Sequence, residues 1–274
     1  MSSPALKTRR GAAMFHVLEP FLRVGSVVTG GLTLEGALLL RHRLIDETLD
    51  RLIRRGDVRQ VVEIAGGLSA RGVRVAERYR SEGLTYVEGD LPDMAAQKRA
   101  VLASASLLEP NHHIVAMDAL ADTGELSLGA ATRGVVDEAK GTAVITEGLL
   151  PYFDRATVEG IWRRLAQFLR RFPRGAYISD LNLRMAADTL GAVKMFRHLL
   201  SWYTGGAVHW HFADEPSAVA SLRSQGFGSV SVHAPSYPPP TARVAARISQ
   251  WVWPHPVPDG LVRVLEAIAG DDRA

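Results

Sequence analysis

The sequence predicts an α/β protein in which an open, mainly parallel sheet carries helices on both faces. Three observations predict it: strand-like and helix-like runs alternate, a glycine pair follows the first strand directly, and acidic residues end the strands after it. Past Gly56, "VRQVVEIA", "LTYVEGD", "HHIVAMDA", "GTAVITEG" and "GAYISDLN" read as strands. Between them "ARGVRVAERYR", "DMAAQKRAVLASAS", "GAATRGVVDEAK" and "DRATVEGIWRRLAQFLRRF" read as helices. Alternation of this kind implies parallel strands joined by right-handed crossovers.

Each element has a local reason. The first strand-like run is rich in Val and Ile, which suit a buried strand, and Gly66 and Gly67 let the chain turn sharply and bring backbone N–H groups close to a ligand. In the helix before "GAYISDLN", Val158, Ile161, Trp162, Leu165, Phe168, Leu169 and Phe172 fall on one face. A sixth strand-like run, "FGSVSVHAP", precedes a Pro-rich segment, "APSYPPPTAR". The final apolar run, "GLVRVLEAIAG", fits a strand or a short helix, and periodicity does not choose between them. Upstream, "LEGALLLRHRLIDETLDRLIRRG" carries a helical stripe of Leu38, Ile45, Leu49 and Leu52, with Arg41 inside it.

Composition limits the function. The 274 residues are 47% hydrophobic and 22% charged, ordinary for a soluble globular chain. With no cysteine there is no disulfide, thiolate nucleophile or cysteine zinc site, which fits a cytoplasmic location. The net charge of +3 is mild and the basic residues form no long block, which argues against nucleic acid as a partner. The apolar stretch "VGSVVTGGLTLEGALLLRHR" is interrupted by four glycines and Glu35, so it reads as neither a membrane helix nor a signal peptide.

In open α/β sheets ligands bind beyond the carboxyl ends of the strands, where strand order reverses. The second run ends with Glu88 and Asp90, the third with Asp118 and the fourth with Glu147. Asp90 lies 23 residues after Gly67, the distance at which a carboxylate meets ribose hydroxyls of a bound nucleoside. A dinucleotide site should show G-x-G-x-x-G to place a pyrophosphate at a helix N-terminus, and "GGLSARG" does not fit it. S-adenosylmethionine has adenosine, a sulfonium and an amino-acid end but no phosphate, so it suits this turn better than a nicotinamide dinucleotide.

Together "VVEIAGGLSARG", "LTYVEGDLPDMAAQKRAVL", "HHIVAMDAL", "AVITEGLLPYFDR" and "GAYISDLNL" resemble the leucine carboxyl methyltransferase superfamily, and within it the bacterial tetracenomycin polyketide O-methyltransferase branch. The resemblance spans roughly residues 35 to 235. It implies a class I methyltransferase (Rossmann-like) fold with a seven-stranded sheet, helices on both faces and an antiparallel last strand supplied by "GLVRVLEAIAG", plus an N-terminal helical segment. It implies S-adenosyl-L-methionine as cofactor, with Ala65, Gly66 and Gly67 around its methionine part, Asp90 at the ribose, Asp118 and Ala119 at the adenine, Glu147 flanking it, and Glu63 and Leu91 also among the cofactor-binding residues. Ala65 and Ser69 depart from the wider superfamily's glycine motif.

Arg41 in an apolar stripe needs a partner. It can reach solvent, pair with an acid such as Asp46, or, as the resemblance implies, hold the carboxylate of S-adenosylmethionine; the last is the expectation taken forward. On the acceptor side the candidates are His209 and His211 in "YTGGAVHWHFAD", and Tyr152 in "LLPYF". Two histidines with no third ligand do not make a metal site, and none is expected. His112 and His113 open a strand and are expected only to stack there.

The expected organisation is a helical cap over residues 1–56, a cofactor core over 57–235 with a lid near 203–215, and a segment over 236–274 that completes the sheet, all in one domain. The expected activity is O-methylation of a carboxyl or phenolic hydroxyl on a small, polyketide-like metabolite of bacterial secondary metabolism. The partners are that acceptor, with neither nucleic acid nor membrane, and a homodimer is left open. The alternatives are an NAD(P)-dependent oxidoreductase with Arg71 near a 2′-phosphate, and a non-catalytic cofactor-binding module of the same fold.

Overall fold

The computed structural model describes residues 34–184, 209–235 and 262–270. Helix α1 (Leu34–Arg54) leads into β1 (Gln60–Ile64), α2 (Arg71–Arg78), β2 (Thr85–Asp90), α3 (Pro92–Ser104) and β3 (His112–Ala116). A short α4 (Leu128–Ala131) is followed by β4 (Thr142–Thr146), α5 (Arg155–Leu169) and β5 (Gly175–Asp180). After them come α6 (Glu215–Ser224), β6 (Phe227–His233) and β7 (Val264–Ala269). The seven strands form one sheet in the order β3-β2-β1-β4-β5-β7-β6. Strands β1 to β5 pair in parallel, while β7 runs antiparallel to both β5 and β6. The last apolar run is therefore a strand, and it is the antiparallel one. No helix among the described residues is long and apolar enough to cross a membrane.

The pleat divides the central strands between two cores, because successive side chains point to opposite faces. Val62 and Val144 face α5, where the six predicted apolar residues within the helix and Phe172 just past its end are all buried, with Trp162 stacked on Phe212 at 5.4 Å and 15°. Val61 and Ala143 face α1, packing with Ile45, Leu49, Leu52 and Ile53. Asp154 starts α5 by accepting the Thr157 N–H at 2.8 Å, a side-chain cap for an orphan donor.

Two expectations need correction. Only Leu128–Ala131 of the "GAATRGVVDEAK" region is helical, because Gly134 takes φ +77° and turns the chain. Leu38 does not share the buried stripe of α1: it is 41% exposed, while Ile45, Leu49 and Leu52 are enclosed. Of the expected lid, residues 203–208 lie outside the described residues, as do residues 1–33 of the cap and most of the Pro-rich segment.

Candidate cofactor site

Strand order reverses between β1 and β4, so the carboxyl ends of these two strands open the crevice. The chain leaves β1 through Ala65, which takes φ +57° while its N–H donates to Gly89 O at 2.7 Å, and through Gly67 at φ +52°. A Cβ on Gly67 would project into open space, which leaves the backbone of the turn accessible to a ligand. Gly66 has a different constraint: its Cβ would sit 3.0 Å from Glu63 Cδ, so the Glu63 side chain lies directly beneath the turn.

Asp90 faces this turn. Its Oδ2 accepts the Gly67 N–H at 3.0 Å and its Oδ1 accepts the Leu91 N–H at 2.8 Å. Each oxygen keeps a lone pair that can accept a ribose hydroxyl. Met117 N–H donates to Asp90 O at 2.8 Å, which places Asp118 beside it, and Asp118 Oδ1 accepts the Leu120 N–H at 2.9 Å. Leu91 and Leu120 are 55% and 41% exposed, two apolar side chains next to the acids that suit a flat base, while Ala119 packs partly into the core.

Glu88, the other acid at the end of β2, is not available to a ligand. It is buried under Gly72, bonded to Lys98 and to His112 Nε2 at 2.7 Å, so His112 does more than stack on Tyr86. Glu63 is likewise enclosed, taking Arg71 Nη1 at 2.6 Å on Oε1 and the Tyr86 hydroxyl at 2.8 Å on Oε2. Its position supports the turn from below.

Glu147 and Arg41 are brought together across 106 residues: Arg41 Nε donates to Glu147 Oε1 at 3.0 Å, and its Nη1 to Asp180 Oδ2 at 3.3 Å. Asp46 does not pair with Arg41; it takes Arg71 and Arg74 instead. Burial alone would raise the Glu147 pKa, but the His42 hydrogen bond and the Arg71 and Arg41 charges outweigh it and hold the carboxyl far below its usual range. Asp180 also accepts the Gly148 N–H on Oδ1 at 2.8 Å and Asn182 Nδ2 on Oδ2 at 3.2 Å. Asp180, His42 and Arg71 were missed as members of this cluster. Asp180 ends "GAYISD" as the other acids end their strands, so the same rule finds it.

Arg71 has no room for a 2′-phosphate. Its side chain is fully buried and bonded to Asp46, Glu63 and Glu147, which removes the support for the dinucleotide alternative.

The acceptor-side candidates gather at the ends of β4 and β5. His209 N–H donates to Pro151 O at 2.8 Å, and His211 Nε2 donates to Leu150 O at 3.3 Å, with the two rings stacked at 6.0 Å. That bond fixes the His211 tautomer and leaves Nδ1 with the lone pair. Burial lowers the His211 pKa, so the ring is neutral at pH 7. Tyr152, in the 3₁₀ turn Leu150–Tyr152, is 45% exposed. Behind these residues a cavity of about 20 Å³, lined by Trp162, Asn182 and Phe212 among others, has room for one water. Among the described residues no group of three or more His, Cys, Asp or Glu could hold a metal ion.

The donor set fits S-adenosylmethionine: carboxylates for hydroxyls, an open glycine turn and an arginine for a carboxylate. Sheet order and site define a class I S-adenosylmethionine-dependent methyltransferase. The family description "Leucine carboxyl methyltransferase" matches residues 28–166, just over half of the chain, and the chain belongs to that family. No curated protein gives a significant match.

Solved structures of low identity share the fold. A DUF574 family protein from Streptomyces avermitilis has 13% identity and a TM-score of 0.62, with 91% of this chain and 88% of that one covered. The citrinin polyketide synthase CMeT domain has 14% identity and a TM-score of 0.57, covering 96% and 58%. PigF with SAH has 14% identity and a TM-score of 0.50, covering 82% and 56%, so the chain spans little more than half of PigF's length.

Proposed function

We propose that the protein is an O-methyltransferase that acts on a carboxyl or phenolic hydroxyl of a small, polyketide-like metabolite. The observation that carries this reading is the placement of Tyr152, His209 and His211 beside the strand ends that carry Glu147 and Asp180. Bound S-adenosylmethionine supplies an electrophilic methyl group for a nucleophilic oxygen. In this reading Asp90 and Leu91 hold the ribose, Asp118 and Ala119 the adenine, Ala65, Gly66 and Gly67 the methionine chain, and Arg41 its carboxylate. An ionised carboxyl acceptor needs no base at pH 7, whereas a phenol gains from one, and the His211 Nδ1 lone pair fits that role. The rest of the catalysis is orientation of the acceptor oxygen.

Methyl transfer from isotopically labelled S-adenosylmethionine to a panel of aromatic carboxylic acids, phenols, amines and thiols tests the reading. Label in oxygen products alone is expected. Label confined to nitrogen, sulfur or carbon products overturns it, and absence of any turnover with cofactor bound favours the non-catalytic module.

A further inference from the structure

Arg71 is the first residue of α2, and its side chain has no exposure to solvent. Each guanidinium nitrogen that can point away from the chain meets a carboxylate from a different element. Nε donates to Asp46 Oδ1 of α1 at 2.6 Å, Nη1 to Glu63 Oε1 of β1 at 2.6 Å, and Nη2 to Glu147 Oε2 after β4 at 2.5 Å. A buried charge with one partner is a weak stabiliser, and a fork shared by three elements fixes their relative placement. Two of those elements carry the cofactor turn and the Arg41 contact. Glu63 lies beneath Gly66, and the second oxygen of Glu147 takes Arg41 Nε. Asp90 and Asp118 have no contact with Arg71: their oxygens take the backbone N–H groups of Gly67, Leu91 and Leu120.

We propose that Arg71 is a positioning residue for the methionine half of the cofactor, setting the glycine turn through Glu63 and the Arg41 guanidinium through Glu147. Without it Glu63 keeps only the Tyr86 hydroxyl for a charge that is 1% exposed. A buried carboxylate left in that state takes up a proton or moves, and the turn above it shifts. Glu147 would then be shared by Arg41 and His42 alone. The adenosine half, anchored at Asp90 and Asp118, would be left in place. This inference rests on the reading that the methionine end lies between the glycine turn and Arg41.

Calorimetry with S-adenosylhomocysteine and with adenosine separates the two halves. Arg71→Met is expected to weaken S-adenosylhomocysteine by about tenfold or more and adenosine by no more than about threefold, since a lost charged hydrogen bond costs about 1.5–3 kcal/mol. Arg71→Lys keeps the charge but cannot reach three carboxylates, so it should recover only part of the loss. Equal losses for both ligands, or full recovery by lysine, overturn the proposal. If Arg71→Met does not fold by circular dichroism, Asp46→Asn removes one arm at its partly exposed end, and the same selective loss is expected; unchanged affinity for S-adenosylhomocysteine then overturns it. Arg41→Met measured alongside keeps the two readings apart. Selective loss in Arg41→Met with unselective loss in Arg71→Met rejects the Arg71 proposal alone, and the opposite pattern rejects the Arg41 assignment while Arg71 acts through Glu63.

Discussion

Asp90 and Gly67, 23 residues apart, are joined by a 3.0 Å hydrogen bond from the Gly67 N–H to the Asp90 carboxylate. The bond links the end of β2 to the last glycine of the turn after β1, so a ligand at one lies beside the other.

Removing that carboxylate takes an anchor from the turn and, in the proposed site, an acceptor from the ribose. Asp90→Ala should weaken S-adenosylhomocysteine by about 1.5–3 kcal/mol, the range for a hydrogen bond to a charged group. Asp90→Asn keeps an acceptor for Gly67 and should lose less. Calorimetric affinities equal to wild type in both would assign Asp90 to the turn alone.

Arg41→Met should retain the fold, because its side chain is 24% exposed and its stem is replaced by a similar apolar volume. S-adenosylhomocysteine should bind about 2 kcal/mol more weakly and adenosine nearly as before, since adenosine has no carboxylate. The loss is moderated because Glu147 and Asp180 compete for the same guanidinium in the free protein.

Ala65 holds φ +57°, a conformation that costs an L residue roughly 1–2 kcal/mol. Ala65→Gly relieves this and should raise the unfolding free energy, and with it the denaturant midpoint, by about 0.5–1 kcal/mol in free energy after the extra flexibility of the unfolded chain is counted. Ala65→Val should lower it clearly, as a β-branched residue tolerates that φ least. A lower midpoint for the glycine variant would show that the turn relaxes without strain.

Glu266 ties β7 to α1 and β6 through Arg51 at 2.7 Å and His233 at 2.9 Å. Burial pushes its pKa up, but the His233 and Arg51 contacts outweigh burial and bring it down to about 2. The folded value lies below the unfolded one, so this stabilisation is complete above the ordinary carboxyl pKa of 4.5 and is lost as pH falls toward 2. Chemical denaturation between pH 5 and 2 should show a slope that Glu266→Gln reduces; an unchanged slope would mean that the contact persists in the unfolded chain.

The alternation of runs was enough to read the parallel sheet, because β1 and β4 are buried along their whole length and rich in Val, Ile and Ala. The strand-end rule brings Asp90, Asp118 and Glu147 to one edge of the sheet for the same reason: in a parallel sheet every carboxyl end lies there. Glu88 passed the same rule and failed, because Lys98 comes from a helix ten residues later and claims it. Arg71 was unreadable as a hub: its three partners lie 25, 8 and 76 residues away, and no local pattern encodes such a convergence. The state of "GLVRVLEAIAG" was equally closed to periodicity, since only its neighbours β5 and β6 decide it.

The insertion of β7 between β5 and β6 bears on how the protein is made. During synthesis β5 and β6 emerge well before Val264–Ala269, and the two have no direct pairing with each other. Until the later strand arrives, β5 presents an unpaired apolar edge and β6 has no partner in the sheet, so the ribosome-bound chain passes through a stage exposed to strand addition from other nascent chains. Closure of the sheet is a long-range event, so docking of β7 is expected late in folding.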